Sequence, residues 1–347
     1  MINKKGESVI LGMSGGVDSA VAAHILKEQG YNVIGCTLVF GKENNKCCLV
    51  NDAELVANQL NIDYFTINVA DEFENRVVKQ FIMDYEIGLT PNPCPACNIL
   101  KFSHLMEYAD KHKIRYIATG HYAIIENGHL FSGVNPHKDQ SYFLSRLPSN
   151  FLKRTLTPLG KYEKAQIRKM AAEMNLHVAN KKDSMDICFV ESDYRNFLKL
   201  RGIKEKSGSV VDKEGKIFAN HKGVFNFTIG QRFRFPGLPK RYYVIGFDFE
   251  KNIVKVGDEK DLYSKTLIAH NINKLEDISL EKTYQFKIRS KNEFYAGKFV
   301  KLSENNFKVK FVEPVSSVTP GQLAVAYDEK NTHRFVVISA WIKEYSD

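Results

Sequence analysis

Long apolar runs are missing from this 347-residue chain. Nowhere do about 18 apolar residues follow one another, which excludes a membrane-spanning helix. Residues 1–7 are polar and lead straight into a strand-like run, so the apolar core of a signal peptide is missing too, and a cytoplasmic protein is expected. There is no internal repeat and no low-complexity stretch, which excludes solenoids and tails built on composition. Cysteine is sparse: six residues, which in a cytoplasmic protein read as reactive or metal-binding rather than as disulfide staples. His104, His112 and His137 stand apart from any ligand set, so no zinc site is inferred.

The length suits two or three domains. The net charge is +9, but unevenly placed: residues 1–140 carry −4 and residues 141–347 carry +13. A basic back half fits a polyanionic partner, although charge alone equally describes a solvated surface.

The front of the chain alternates strand-like runs (9–13, 33–39, 64–69, 116–120) with helical spacing (18–29, 51–61, 72–86, 98–112). That grammar predicts an α/β fold with a Rossmann-like, doubly wound parallel sheet, whose ligands sit at the carboxyl ends of the strands. A hairpin turning at Asn127-Gly128 follows, then helices over 164–175 and 193–201. Beyond residue 203 short strands alternate with turns, including runs at 209–212, 216–219, 225–228 and 241–248, and from 268 onward they predict a small β-barrel. The expected division is 1–202, a catalytic ATP-binding domain; 203–265, a small central domain; and 266–347, a barrel.

The first strand runs into Gly12-Met13-Ser14-Gly15-Gly16-Val17-Asp18-Ser19, a turn of small residues that opens a helix. Gly15 and Gly16 let backbone amides approach phosphate oxygens at the positive end of the helix dipole. Asp18 would repel those phosphates unless a cation bridges them, which implies Mg²⁺. No Lys-Ser/Thr ending follows, so the turn is not a γ-phosphate cradle. It is similar to the SGGxDS loop of enzymes that split ATP between its α and β phosphates.

Two cysteine segments stand out. In 90–98, three prolines lead into a helix near whose start Cys97 sits, and the dipole there favours thiolate. Cys188 follows the basic, polar stretch 181–186; taken alone, it reads as a small apolar residue between Ile187 and Phe189. Cys94 completes a Cys-x-x-Cys pattern, and with Cys188 three thiolates could hold three corners of a 4Fe-4S cluster. A resolving thiol and a neutral substitution are the other readings of Cys94. Cys36 reads as core, and Cys47 and Cys48 receive no role. Cations and aromatics interleave over 231–241, which suits RNA or a charged rim around packed rings.

The strings GMSGGVDS, TPNPCPACN, ATGHY, KDQSYFL, KKDSMDICF, TIGQR and TPGQ, spanning Gly12 to Gln322, resemble in order those of the bacterial tRNA-specific 2-thiouridylases. The resemblance implies an adenine nucleotide alpha hydrolase-like domain, a central domain and a tRNA-contacting β-barrel. It also implies ATP-dependent exchange of the C2 oxygen of the wobble uridine for sulfur, in tRNAs that include those for Lys, Glu and Gln. It assigns Gly12 to Ser19, Leu38 and Gly120 to the nucleotide, Asp18 to its Mg²⁺, Cys97 as nucleophile and Cys188 as persulfide carrier. Asn92, Pro93 and Cys94 would touch the target base, although the best-known pattern has Asp where Cys94 stands. His121, Lys138, Asp139, Gln140, Arg289, Ser290 and Gln322 would touch tRNA; without the resemblance, Asp139 reads as a cap for the helix that follows.

The implied partners are tRNA, a sulfur-donor protein (a cysteine desulfurase or a relay carrier) and a reductant for a Cys97–Cys188 disulfide. Release of free sulfide, aided by Cys97, is the alternative to that disulfide. Two other functions remain open at this point: an amidotransferase-type synthetase using the same ATP loop, and a non-enzymatic RNA-binding sulfur carrier.

Overall fold

The structure, a computed structural model, describes residues 6–41, 50–181, 187–190, 193–234, 241–291, 293–330 and 333–346. Cys47, Cys48, Lys182, Phe235 and Lys240 lie outside the described residues. The chain forms two compact units. One comprises Met1–Val77, Pro93–Phe189 and Asp328–Val336; the other comprises Val78–Asn92, Val190–Tyr327 and Val337–Asp347.

The first unit is built on a parallel sheet of β1 (Ser8–Gly12), β2 (Asn32–Val39), β3 (Asp63–Asn68), β4 (Tyr116–Thr119) and β7 (Thr155–Leu156), in the order β3-β2-β1-β4-β7. Val9, Ile10 and Leu11 are fully buried, as a central parallel strand covered on both faces requires. The order reverses between β1 and β4, which opens a crevice beyond their carboxyl ends. Helix α1 (Val17–Glu28) packs its face of Ala20, Val21, Ala23 and Leu26 into the core. Three further helices are α2 (Val50–Leu60), α3 (Cys94–Lys111) and α4 (Lys164–Glu173). Between β4 and β7, β5 (Ala123–Glu126) and β6 (His129–Ser132) form the expected hairpin, with Asn127 and Gly128 at φ 53° and 83°, the signs a two-residue type I′ turn demands.

Two boundaries differ from the sequence expectation. Helix α3 starts at Cys94, not at 98: Pro93 is its N-cap and Pro95 occupies its first turn, where a missing N–H breaks no bond. The prolines therefore start this helix. The helical stretch expected over 72–86 is interrupted by a π turn at Glu74–Val78.

In the second unit, β8 (Gly208–Val211), β9 (Ile217–His221), β10 (Arg232–Phe233), β11 (Tyr242–Asp248) and β12 (Ile253–Gly257) form a sheet ordered β10-β11-β12-β8-β9. The run 225–228, read as a strand, contains instead a 3-10 turn at Val224–Asn226, where buried Phe225 serves the core without pairing; β12 was not foreseen. The remaining strands are β13 (Tyr263–Lys274), β14 (Tyr284–Lys287), β15 (Tyr295–Leu302), β16 (Asn306–Ser316), β17 (Leu323–Lys330) and β18 (His333–Ser346). They run β13-β16-β15-β14-β17-β18 and close through β13–β18 pairing into a barrel. Phe286, Phe299 and Phe307 fill it edge to face. No described helix is long and apolar enough to cross a membrane.

Candidate nucleotide and thiol site

The crevice beyond β1 and β4 opens into a cavity of about 520 Å³ in the first unit, within the range of small-ligand sites. Its floor is the loop after β1. The strand is locked to β2 by Met13 N–H to the Cys36 carbonyl (2.8 Å) and by the Thr37 hydroxyl to the Met13 carbonyl (2.8 Å). Ser19 closes the loop from inside α1, accepting from Ser14 N (3.2 Å) and donating to the Gly16 carbonyl (3.1 Å). Gly15 takes φ 67°, which favours glycine, and Gly16 is the N-cap of α1 with no side chain capping the helix. Among the described residues the amides of Gly16 and Val17 have no hydrogen-bond acceptor. Orphan amides at a helix N-terminus suit an anion.

Gly12, Met13, Ser14, Gly16, Val17, Asp18, Ser19, Leu38 and Gly120 all line this cavity. Gly15 does not: its carbonyl accepts from Lys181 Nζ. Asp18 Oδ1 receives hydrogen bonds from Tyr122 Oη (2.5 Å) and Lys164 Nζ (2.6 Å); no bond to Oδ2 is formed among the described residues. Neither Tyr122 nor Lys164 was singled out from the sequence. Lys164 carried a legible signal, since a cation in the first turn of α4 opposes the helix dipole.

Cys94, Cys97 and Cys188 line the same cavity, so a spacing of some ninety residues folds into one site. Cys97 is buried, Cys94 half-buried and Cys188 exposed, all with free thiols. The expected thiolate character of Cys97 is corrected here. Burial pushes its thiol above the ordinary value; Lys101, which hydrogen-bonds it from one turn further along α3, only partly counters this. Cys94 is pushed up to about 12, first by burial and then by Cys97 and Cys188. Cys97 N–H already donates to the Pro93 carbonyl (3.0 Å), so that amide is not free to stabilise a thiolate. Low-dielectric surroundings outweigh the dipole. Among the described residues no three His, Cys, Asp or Glu side chains form a metal-holding group. Cys36 is buried with its thiol at about 12, as core.

Lys101 reaches further. Its ammonium lies 5.5 Å from the Phe40 ring centroid; Phe40 packs on Phe73 (4.6 Å) and Phe73 on Phe189, the neighbour of Cys188 (5.6 Å). This aromatic column steadies the chain beside the exposed thiol. Lys101 sits at helical spacing from Cys97, which is how the sequence could have yielded it.

Pro93, His121, Lys138 and Gln140 also line the cavity. His121 is driven down to about 3 by burial and then by Lys101, so it is a neutral ring, with Nδ1 2.8 Å from the Thr119 hydroxyl. Gln140 Oε1 accepts from Tyr122 N–H (2.9 Å). Asp139 is not in the wall: its carboxylate accepts from the amides of Gly133 and Ser141 (each 3.0 Å) and from the Ser141 hydroxyl (2.9 Å), which is turn-building work. Asn92, Arg289, Ser290 and Gln322 belong to the second unit. There the Gln322 amide donates to the Thr90 carbonyl (2.7 Å), and Arg289 donates to the Ile229 carbonyl (2.9 Å) and to the Thr319 hydroxyl.

The chain matches the family models of a tRNA methyl transferase HUP domain over residues 7–192, a tRNA methyl transferase PRC-barrel domain over 195–258 and an aminomethyltransferase beta-barrel domain over 264–333. It is 40% identical over 348 residues to the tRNA-specific 2-thiouridylase MnmA of Acetivibrio thermocellus, covering 93% of this chain and 96% of that protein. The corresponding protein of Clostridium acetobutylicum is 39% identical over 350 residues, with 94% and 97% covered. That of Geotalea uraniireducens is 40% identical over 354 residues, with 94% and 93% covered. An ATP-type loop and three thiols on one cavity, in a chain so alike over nearly its whole length, place this protein in the tRNA-specific 2-thiouridylase family.

Proposed function

We propose that this chain is an ATP-dependent tRNA sulfurtransferase that replaces the C2 oxygen of the wobble uridine with sulfur. The observation that carries the reading is the shared cavity: the anion-ready loop and the thiols of Cys97 and Cys188 border one space. The methyl-transfer wording of the matched domain models fits that cavity less well, because methyl transfer needs neither a pyrophosphate-splitting loop nor paired thiols.

Uridine O2 attacks the α-phosphorus of ATP and pyrophosphate leaves, with the Gly16 and Val17 amides holding phosphate oxygens. The terminal sulfur of a persulfide on Cys188 then attacks C2, and the old oxygen departs within AMP. Cys97, as thiolate, attacks Cys188 Sγ; the S–S bond breaks, its electron pair stays on the sulfur now bound to C2, and a Cys97–Cys188 disulfide remains. An external dithiol returns two electrons, and a sulfur-donor protein reloads Cys188. The buried Cys97 and exposed Cys188 suit this division of labour: the carrier meets a donor protein, while the resolving thiol stays enclosed.

Asp18 fits a hard cation, since Mg²⁺ takes one or two carboxylates with phosphate oxygens and water. Bound there, Mg²⁺ would neutralise charge on the departing pyrophosphate. Lys164 and Tyr122 hold the carboxylate in place for it. The described thiols form no metal-holding group, and no step is routed through a 4Fe-4S cluster.

For the tRNA partner, the barrel supplies a matching surface. Lys298 lies directly opposite Lys310, and Lys301 opposite Lys308, on β15 and β16. None of the four side chains has an ion-pair or hydrogen-bond partner among the described residues. Like charges opposed across strands destabilise a sheet, and a phosphate backbone relieves that repulsion.

The test is tRNA-dependent release of pyrophosphate and AMP, with 2-thiouridine read by nucleoside mass spectrometry. A synthetase would release pyrophosphate without tRNA, and a binding protein would release none.

A further inference from the structure

Lys181 closes one side of the cavity in a way the proposed chemistry leaves unexplained. In the sequence it stands at the start of the basic, polar stretch that precedes Cys188. Its ammonium donates to two acceptors from distant elements, the Gly15 carbonyl (2.7 Å) and Asp52 Oδ2 on α2 (2.7 Å). Asp52 Oδ1 in turn lies 3.3 Å from His177 Nε2, and the His177 amide donates to Gln59 Oε1 of α2 (3.3 Å). The hydrogen bond from Lys181 is the largest cause holding the Asp52 carboxyl below its ordinary range.

Gly15, at φ 67°, has no Cβ to fix the direction of the peptide that follows it. In a trans peptide the carbonyl and the next N–H point opposite ways. Drawing the Gly15 oxygen toward Lys181 therefore turns the Gly16 N–H away from it, and that amide borders the cavity with no acceptor among the described residues.

We propose that Lys181, pinned by Asp52, is a positioning residue that sets the Gly15–Gly16 peptide so that the Gly16 amide is presented to a nucleotide phosphate. It rests on the ATP reading above. A direct role, with Lys181 leaving Asp52 to bind phosphate itself, is the competitor.

Calorimetric titration of the full chain with MgATP, and separately with adenosine, distinguishes them in wild type, Lys181→Met, Lys181→Arg, Asp52→Asn and the Asp52→Asn/Lys181→Met double variant. Positioning predicts that Lys181→Met and Asp52→Asn each weaken MgATP about tenfold, the scale of one charge-assisted hydrogen bond. The double variant should be no worse than either single one, Lys181→Arg should recover most of the loss, and adenosine affinity should stay constant. Asp52→Asn and Lys181→Arg keep the test open if Lys181→Met fails to fold. Unchanged or tighter MgATP binding in Asp52→Asn, or additive losses in the double variant, overturns the proposal while leaving the ATP reading intact. Failure of the wild type to bind MgATP overturns both.

Discussion

Gly120→Ala tests how firmly the nucleotide loop is seated. A Cβ at this position would stand 3.1 Å from the Asp18 carbonyl carbon and the Ser19 nitrogen, and 3.2 Å from Ser19 Cα. Carbon contacts prefer about 3.5–4.0 Å, and backbone of a helix's first turn cannot swing aside as a side-chain tip does. The start of α1 must therefore retreat by a few tenths of an ångström. Overpacking of this kind costs about 1–3 kcal/mol, and the lower end applies because the loop side is open to the cavity; about 1 kcal/mol lowers Tm by roughly 2–4 °C in a domain of this size. A misplacement of about 1 Å costs roughly a hundredfold in rate, so a shift a third as large costs roughly fivefold in kcat/KM. Scanning calorimetry and tRNA-dependent pyrophosphate release read the two effects. Gly16→Ala is the control, because its Cβ meets only the Ser14 hydroxyl at 3.4 Å. Its Tm should hold while MgATP binding falls, since only the ligand is crowded. Full Tm and full turnover in Gly120→Ala would refute the packing argument.

Cys97→Ser and Cys188→Ser should each reduce thiolation from a protein persulfide donor to background, whereas Cys94→Ser, which takes no part in the proposed transfer, should keep activity; loss in Cys94→Ser together with protein-bound iron and acid-labile sulfide would reverse that assignment. Because burial raises the Cys97 thiol, only a small fraction is ionised at neutral pH, and the single-turnover rate should climb about tenfold per pH unit from about pH 6 to about pH 8. A flat profile would mean that thiolate formation at Cys97 does not limit transfer. Lys298→Gln with Lys310→Gln should flatten the salt dependence of tRNA binding, lowering the log–log slope by about 1.4–1.8 for two phosphate contacts, without lowering Tm, because a repulsive pair is removed. Filter binding across a salt series measures it, and an unchanged slope would place the RNA elsewhere.

The parallel sheet was legible because β1 to β4 are short apolar runs separated by helical periodicity, and each became a strand within a residue or so of the boundary expected. Local signals failed where burial and pairing disagree. Phe225–Thr228 has strand composition, yet Phe225 is buried from a 3-10 turn and Phe227, just after it, packs against Phe233 without pairing as a strand. The Ile253–Gly257 strand owes its place to neighbours on both sides, β11 and β8, which no local window contains.

At the site the glycine loop and the thiols were readable because their chemistry lies in a contiguous string or in a rare residue type. What stayed hidden was the scaffolding that tunes them. Lys164 reaches Asp18 across 146 positions, and Lys181 reaches Gly15 across 166. Lys164 is marked only by its place in a helix's first turn and Lys181 only by its place in a basic stretch, weak signals in a chain with 49 cationic residues. The same limitation explains the error at Cys97. Sequence shows its distance from a helix start, and hence the sign of the dipole's effect, but the opposing desolvation depends on walls supplied by β2, β4 and the segment around Cys188. Within the first turn a dipole is worth about 0.3–1 kcal/mol, whereas full burial of an ionisable group moves its pKa by as much as 3–5 units, equivalent to roughly 4–7 kcal/mol. With magnitudes so unequal, a buried cysteine at a helix start stays protonated unless a cation joins it. Lys101, one turn along on the same face, is the residue in position to do so.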